Sequence, residues 1–169
     1  MRLFSEEKRG GTIEILMTLP VKDWQLVLGK YLASYVLILL TLLLSGIHYV
    51  TIAAIGKPDF GAAMGGYIGL ALVVGIYLAI GIFTSSLTQN QIVAFIMAFV
   101  IIFFFFIVDK FIIFMPGFLA NILEFISIDY HYNDIARGVI DTRNLIYCIS
   151  MIFLFLFLTV RVLESRKWK

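Results

Sequence analysis

The polar cluster DYHYND, residues 129–134, holds the side chains of this sequence that are best suited to bind a metal ion. Asp129, His131 and Asp134 offer the carboxylate oxygens and imidazole nitrogen that metal ions use as ligands in proteins. However, one histidine among aspartates and tyrosines does not match a recognised ligand spacing. We therefore favour a hydrogen-bonded cluster that closes one side of the protein, and we predict no metal site.

The dipeptide Gly29–Lys30 is the second candidate, because it is similar to the end of a phosphate-binding loop. Such a loop requires the pattern G-x-x-x-x-G-K-[ST]. Trp24 stands at the position of the first glycine and Tyr31 at the position of the hydroxyl residue. Lys30 is therefore interpreted as a basic residue whose stem lies along apolar surface at a membrane edge. With no Ser/His/Asp or Cys/His constellation in the sequence either, the chain is predicted not to be an enzyme.

Composition indicates an integral membrane protein. The chain has 169 residues, of which 62% are hydrophobic and 14% charged, whereas a soluble domain has roughly 25% charged residues. Four apolar runs are long enough to cross a hydrocarbon layer of about 30 Å: residues 31–55, 65–87, 92–108 and 145–160. Since lipid offers the backbone no hydrogen-bond partners, these runs must be helices. The single cysteine, Cys148, excludes an internal disulfide.

The distribution of lysine and arginine predicts the orientation. Nine of these residues precede the first span or follow the fourth, and four lie in the two loops on the other side. By the positive-inside rule, both termini are expected in the cytoplasm. The basic residues lie at the ends of apolar runs, so the net charge of +2 does not indicate nucleic-acid binding. Residues 1–30 form the predicted cytoplasmic segment, and residues 31–169 the transmembrane domain.

The predicted external segment, residues 109–144, is too long and too apolar for a simple loop. Its apolar stretches, residues 111–115 and 118–128, have the length of re-entrant or interfacial helices. Pro116 is suited to the first turn of the second of these. We therefore expect a helical external segment between the third and fourth spans.

Small residues and one histidine mark the first two spans. The pairs Gly65–Gly69 and Gly75–Ala79 are spaced for close helix packing, which we expect within the subunit, although contact with a second subunit is also open. His48 is costly in lipid and should face protein or water. We expect a structural hydrogen bond from His48 to a neighbouring helix rather than a role in transport.

The segment Ile13–Leu19 is apolar except for Glu14 and Thr18, and it is too short to span a membrane. Thr12 is a suitable N-cap, Glu14 lies in the first turn where a carboxylate favours the helix dipole, and Pro20 ends the helix. An amphipathic helix lying on lipid is one interpretation. The other is a helix that docks into a groove of a protein partner, because anionic lipid would repel its acidic stripe.

Two stretches resemble a known family. The stretch FSEEKRGGTIEILMTLPVKDWQLVLGKYLA resembles the coupling-helix region of ABC-2 type exporter permeases, in the branch that includes gliding-motility-associated and copper-processing permeases. The stretch from DYHYND to the final SRKW resembles the last external segment and final helix of the same branch. Members of this branch usually carry two more transmembrane helices before RLFSEEKR. The resemblance therefore implies that this chain lacks the first two, either as a fragment that starts at an internal Met or as a minimal variant.

The resemblance implies the membrane subunit of an ATP-binding-cassette exporter in the bacterial cytoplasmic (inner) membrane. Its partners would be a cytoplasmic ABC ATPase, which holds ATP and magnesium, a second permease half, and an extracytoplasmic auxiliary subunit as a further candidate. The helix around Glu14 would rest in a groove of the ATPase. The residues that match the docking motif are Glu6, Glu7, Gly11, Thr12, Glu14 and Pro20, with Ile13 and Leu16 as apolar contacts. No cofactor is expected in this chain.

Two other functions were considered. A non-transporting membrane scaffold, or a truncated regulatory subunit that binds the ATPase, would keep the same coupling segment. A passive channel would need polar residues along several spans, and the third span offers none.

Overall fold

The computed structural model describes residues 2–12, 21–114, 116–138 and 141–165, and within these ranges every regular element is helical. This confirms the predicted all-α fold. In chain order the elements are α1 (Arg2–Arg9), α2 (Asp23–Ile55), α3 (Phe60–Leu87), α4 (Gln91–Phe111), a 3₁₀ turn (Ile112–Phe114), α5 (Gly117–Ile126), α6 (Ile128–Ala136) and α7 (Thr142–Glu164).

Four of the helices, α2, α3, α4 and α7, are long and apolar enough to cross a membrane. Each of the four predicted spans lies inside one of them, which makes the chain an all-α polytopic membrane protein. With 33 residues, α2 is about 50 Å long and exceeds the hydrocarbon layer of about 30 Å. As expected, the helix that starts at Asp23 continues into the first span without a break.

Three polar residues set where the long helices begin. Asp59 Oδ1 accepts a hydrogen bond from the Gly61 amide (2.9 Å), so α3 starts several residues before the apolar run of the second span. The side chains of Asn90 and Asp141 likewise accept hydrogen bonds from backbone amides at the starts of α4 and α7. Each side chain supplies an acceptor to one of the amides that a helix N-terminus leaves unpaired.

The segment between α4 and α7 is helical, as the sequence predicted. Pro116 occupies the N-cap of α5 (φ −64°, ψ 149°) rather than its first turn. The helix α5 therefore begins one residue later than predicted. Ser127 ends α5 and caps α6, accepting a hydrogen bond from the Tyr130 amide through its side chain. The apolar stretch 118–128 is therefore divided between two short helices.

The chain divides into two compact units. The first contains residues Met1–Tyr35, Ile76–Ile102 and Ser150–Lys169, and the second contains Val36–Gly75 and Phe103–Ile149. Phe4, Val27 and Ile80 are fully buried in the first unit, and Ile128 and Ile135 are buried in the second.

The helix α2 is the most exposed of the four long helices. None of its most apolar 18-residue window is buried, and Leu43 and Leu44 are each 77% exposed. An apolar surface of this extent marks a face covered by lipid or by another protein chain.

Candidate functional site

The helix α1 is held against the end of α3 by backbone hydrogen bonds. The amides of Phe4 and Ser5 both donate to Ser85 Oγ, at 3.1 and 3.0 Å, and both residues are fully buried. The first four amides of a helix have no acceptor within the helix itself. Ser85 therefore acts as a cap for α1 that comes from another part of the chain.

A buried lysine strengthens the same contact. Lys8 is only 6% exposed, and its ammonium group donates to the backbone carbonyl oxygen of Ser86. Ser86 lies in the last turn of α3, where carbonyl groups lack intrahelical donors and the helix dipole favours positive charge. The end of α3 thus compensates the cost of burying the Lys8 charge.

Lys30, near the start of α2, makes three contacts with α1. Its ammonium donates to the Leu3 carbonyl oxygen, lies 2.5 Å from Glu7 Oε2, and lies 4.5 Å from the centre of the Phe4 ring. The side chains of Lys30 and Glu7 are only 16% and 28% exposed. The ammonium of Lys30 therefore turns to α1, and the predicted place of Lys30 at a membrane edge stays a prediction.

The junction of α1 with α2 and α3 forms a corner of the first unit, and a cleft of about 500 Å³ opens beside it. Glu6 is exposed, and the Thr12 hydroxyl donates to the Glu7 carbonyl oxygen at 3.3 Å. Gly11 has φ +68°, a left-handed conformation that favours glycine just after a helix. The residues that line the cleft are Leu3, Glu6, Glu7, Gly10, Thr12 and Lys30.

The structure brings part of the predicted docking set together. Glu6, Glu7 and Thr12 line the cleft, and Gly11 lies between two of its lining residues in sequence. The remaining predicted docking residues lie outside the described ranges, as does the whole predicted helix Ile13–Leu19. They are Ile13, Glu14, Leu16 and Pro20.

Sequence reasoning missed Lys8, Ser85 and Ser86 as parts of this corner. Lys8 stands in a run of charged residues that reads as a solvated face, and both serines belong to a polar stretch that reads as a turn. A serine pair in the last turn of an apolar helix offers hydroxyl and carbonyl acceptors. Nothing in the sequence indicates that residues some 80 positions away supply the donors.

The DYHYND cluster in the second unit is a closed hydrogen-bonded arrangement. His131 Nδ1 is 2.7 Å from the Asn144 side-chain amide oxygen, and Nε2 is 3.3 Å from the Phe125 carbonyl oxygen. The imidazole also stacks on Tyr147, with ring centres 4.1 Å apart. Both ring nitrogens are therefore engaged. Among the described residues, no three His, Cys, Asp or Glu side chains are placed to hold a metal ion.

The fold changes the ionisation of Asp129, at the start of α6. Burial raises the pKa of its carboxyl, and the negative charge of Asp109 raises it further, while Lys110 acts in the opposite direction. Asp109 accepts a hydrogen bond from Ser127 Oγ (3.2 Å) and pairs with Lys110 at 2.6 Å. The capping residue of α6 is thus tied to the end of α4.

Gly65 and Gly69 of α3 lie against α6. A Cβ atom on Gly65 would be 2.3 Å from the Ile135 carbonyl oxygen, and one on Gly69 would be 3.0 Å from the Tyr132 ring. These two glycines therefore allow a close approach between helices of the same unit. Gly75 and Ala79, the other predicted packing pair, are both buried.

His48 does not follow its prediction. Its side chain is exposed on α2, and no hydrogen bond joins it to another residue of the described ranges. The expected hydrogen bond to a neighbouring helix of this chain is therefore wrong.

Comparison with known proteins assigns the family. The sequence matches the family described as ABC-2 family transporter protein over residues 1–167. The chain belongs to the ABC-2 transporter family. No curated protein and no solved structure matches it. As an ABC-2 permease it is the membrane component of an ABC transporter, which implies an ABC ATPase as partner.

The family match confirms the ABC-2 permease predicted from the two quoted stretches, and together with the four apolar helices it makes the chain a multi-pass membrane protein. In this ABC-2 permease, the cleft beside α1 brings together the described part of the predicted ATPase-docking set. The DYHYND cluster, by contrast, has the hydrogen bonds of a structural element.

Proposed function

We propose that this chain is the permease subunit of an ABC exporter, and that it couples ATP hydrolysis by a separate cytoplasmic ATPase to export across the membrane. One observation carries the proposal: the cleft that holds Glu6, Glu7 and Thr12 is built on a helix bonded directly to two membrane-crossing helices. A partner that moves this corner therefore acts on α2 and α3 together. ATP and magnesium belong to the partner subunit.

The predicted docking helix follows the cleft in sequence. Glu14, with Thr12 and the apolar side chains of Ile13 and Leu16, forms the proposed contact with a groove of the ATPase. When nucleotide binding closes two ATPase subunits, each subunit displaces the segment docked on it, and the spans rearrange. This mechanism requires a second permease half, as a second copy of this chain or a related one.

The proposed location is the bacterial cytoplasmic membrane with both termini in the cytoplasm, where the ATPase can reach α1. The exposed apolar face of α2 supports the presence of further transmembrane segments or a second permease half next to it. The likeness to gliding-motility-associated and copper-processing permeases belongs to this proposal.

The test is purification of the tagged chain from its own host, with Glu14→Arg compared with wild type. We expect an ABC ATPase to co-purify with wild type and to be lost from Glu14→Arg, because reversal of the charge places a cation where an anion docks. Glu124→Arg on α5 is the matched control. It makes the same charge reversal in the predicted external segment, so it should retain the ATPase.

The result also separates the alternative functions. If the ATPase remains with Glu14→Arg at the wild-type ratio, the docking assignment is wrong. If the ATPase binds wild type but its hydrolysis rate is the same with and without the permease, the chain is better described as a scaffold or regulatory subunit. An intact mass larger than that of 169 residues would show that further helices precede Met1.

A further inference from the structure

Lys30 lies where α1 and α2 meet, and its three contacts all reach α1. The ammonium holds the Leu3 carbonyl oxygen, the Glu7 carboxylate and the face of the Phe4 ring at once. These groups lie within little more than one turn of α1, so one cation engages the helix through a hydrogen bond, an ion pair and a cation–π contact. A lysine that only extended towards a membrane surface would not make this set of contacts.

The same short helix is also fixed to α3. The buried amides of Phe4 and Ser5 donate to Ser85, and Lys8 donates to the carbonyl of Ser86. With eight residues, α1 is too short to be stable as an isolated helix. Its position is therefore determined by these contacts with the two long helices.

We propose that Lys30 is a positioning residue that joins α1 to the first long helix, so that displacement of the N-terminal segment is transmitted to α2. This inference rests on the proposed function, because the displacement is attributed to a docked ATPase. The low exposure of the Lys30–Glu7 pair makes it less screened by salt and solvent than an ordinary surface ion pair. The link therefore persists at physiological ionic strength.

The variant that tests this is Lys30→Met, which keeps the length of the side chain but removes its charge and donors. Lys22→Met is the matched control, because Lys22 is exposed, precedes the same helix and makes its hydrogen bonds to Gln25 and Leu26 through backbone atoms. Lys30→Arg is the rescue variant, since a guanidinium can still pair with Glu7 and stack on Phe4. If Lys30→Met is not recovered, Lys30→Gln keeps a donor but no charge.

The measurement is hydrogen–deuterium exchange of the complex with its ATPase, with and without ATP and vanadate. In wild type, Lys22→Met and Lys30→Arg, we expect nucleotide to change exchange in the peptide that covers residues 23–35. In Lys30→Met that difference should be lost while the ATPase still co-purifies, and the amides of Phe4 and Ser5 should exchange faster. A purely structural role would not remove a nucleotide response while the complex stays assembled.

The outcomes separate this inference from the proposed function. If the ATPase co-purifies and Lys30→Met keeps the wild-type nucleotide response, Lys30 is not the link, and the proposed function stands. A wild-type complex whose residues 23–35 do not respond to nucleotide also overturns the link. If no ATPase co-purifies with wild type, the proposed function itself fails.

Discussion

Replacement of Gly65 by alanine should destabilise this protein, although alanine is the better helix former. The added Cβ would lie 2.3 Å from the Ile135 carbonyl oxygen and 3.0 Å from Gly138 Cα. Both are backbone atoms, so neither can rotate away. To reach an ordinary contact distance of 3.4 Å, the backbone of α6 must withdraw by about 1.1 Å. That movement disturbs the packing of buried Ile128 and His131 on the same helix.

The magnitude follows from two opposing contributions. Overpacking that shifts backbone costs about 1–3 kcal/mol, and replacing glycine by alanine in a helix returns about 1 kcal/mol. We take the upper part of the overpacking range, because the clash is between backbone atoms, and expect a net loss of about 2 kcal/mol in the free energy of unfolding. The control is Gly66→Ala, the next residue of α3, where a Cβ meets nothing within 4 Å. Gly66→Ala should gain up to about 1 kcal/mol.

The assay is thermal unfolding in mild detergent. Unfolding is monitored through the reaction of Cys148 with a fluorogenic thiol dye. Cys148 is the only cysteine in the chain and is 1% exposed, so dye reacts when the second unit opens. A difference of about 3 kcal/mol between the two alanine variants corresponds to a separation in Tm of about 6–12 °C for a chain of this size. If Gly65→Ala melts at or above Gly66→Ala, the close approach of α3 and α6 is refuted.

Two further predictions concern Ser85 in the first unit and Asp129 in the second. Ser85→Ala should lower the free energy of unfolding by about 2 kcal/mol, because two buried amides lose their acceptor. Ser86→Ala is the control and should change it little, since the Ser86 hydroxyl bonds to the Phe83 carbonyl within α3. Equal melting temperatures of the two variants would contradict the role of Ser85 as the cap of α1. Because the pKa of Asp129 is raised in the folded protein, its contribution to stability is present at acid pH and is lost as pH rises through the folded-state pKa. Asp129→Asn should therefore melt above wild type at pH 7, and the difference should vanish below about pH 4; a difference independent of pH would contradict the raised pKa.

The helices and the family were predictable from sequence because both depend on local features. An apolar run of twenty residues must form a helix in lipid whatever surrounds it, and Pro116 marks a helix start through its own chemistry. The quoted N-terminal stretch likewise indicated an ABC-2 permease, which the family match over residues 1–167 confirms. The role of Glu14 stays a prediction.

The partners of individual side chains were not predictable, because they depend on which distant segment passes within a few ångströms. In the sequence, Lys8 stands in a charged run and Lys30 at the start of an apolar one, and neither context indicates a partner. The fold buries Lys8 against the Ser86 carbonyl and directs Lys30 to α1. His48 illustrates the same limit, because among the described residues its exposed side chain makes no hydrogen bond to a neighbouring helix.

The sequence by itself therefore determined the number and type of the long helices, since chain length, hydropathy and backbone hydrogen bonding in lipid act residue by residue. Only the tertiary structure decided that Gly65, and not Gly66, faces another backbone, and that a lysine joins α1 to α2. Those outcomes depend on helix rotation and distance, where a shift of one residue turns a side chain by about 100°. Such geometry is decided by packing across the fold.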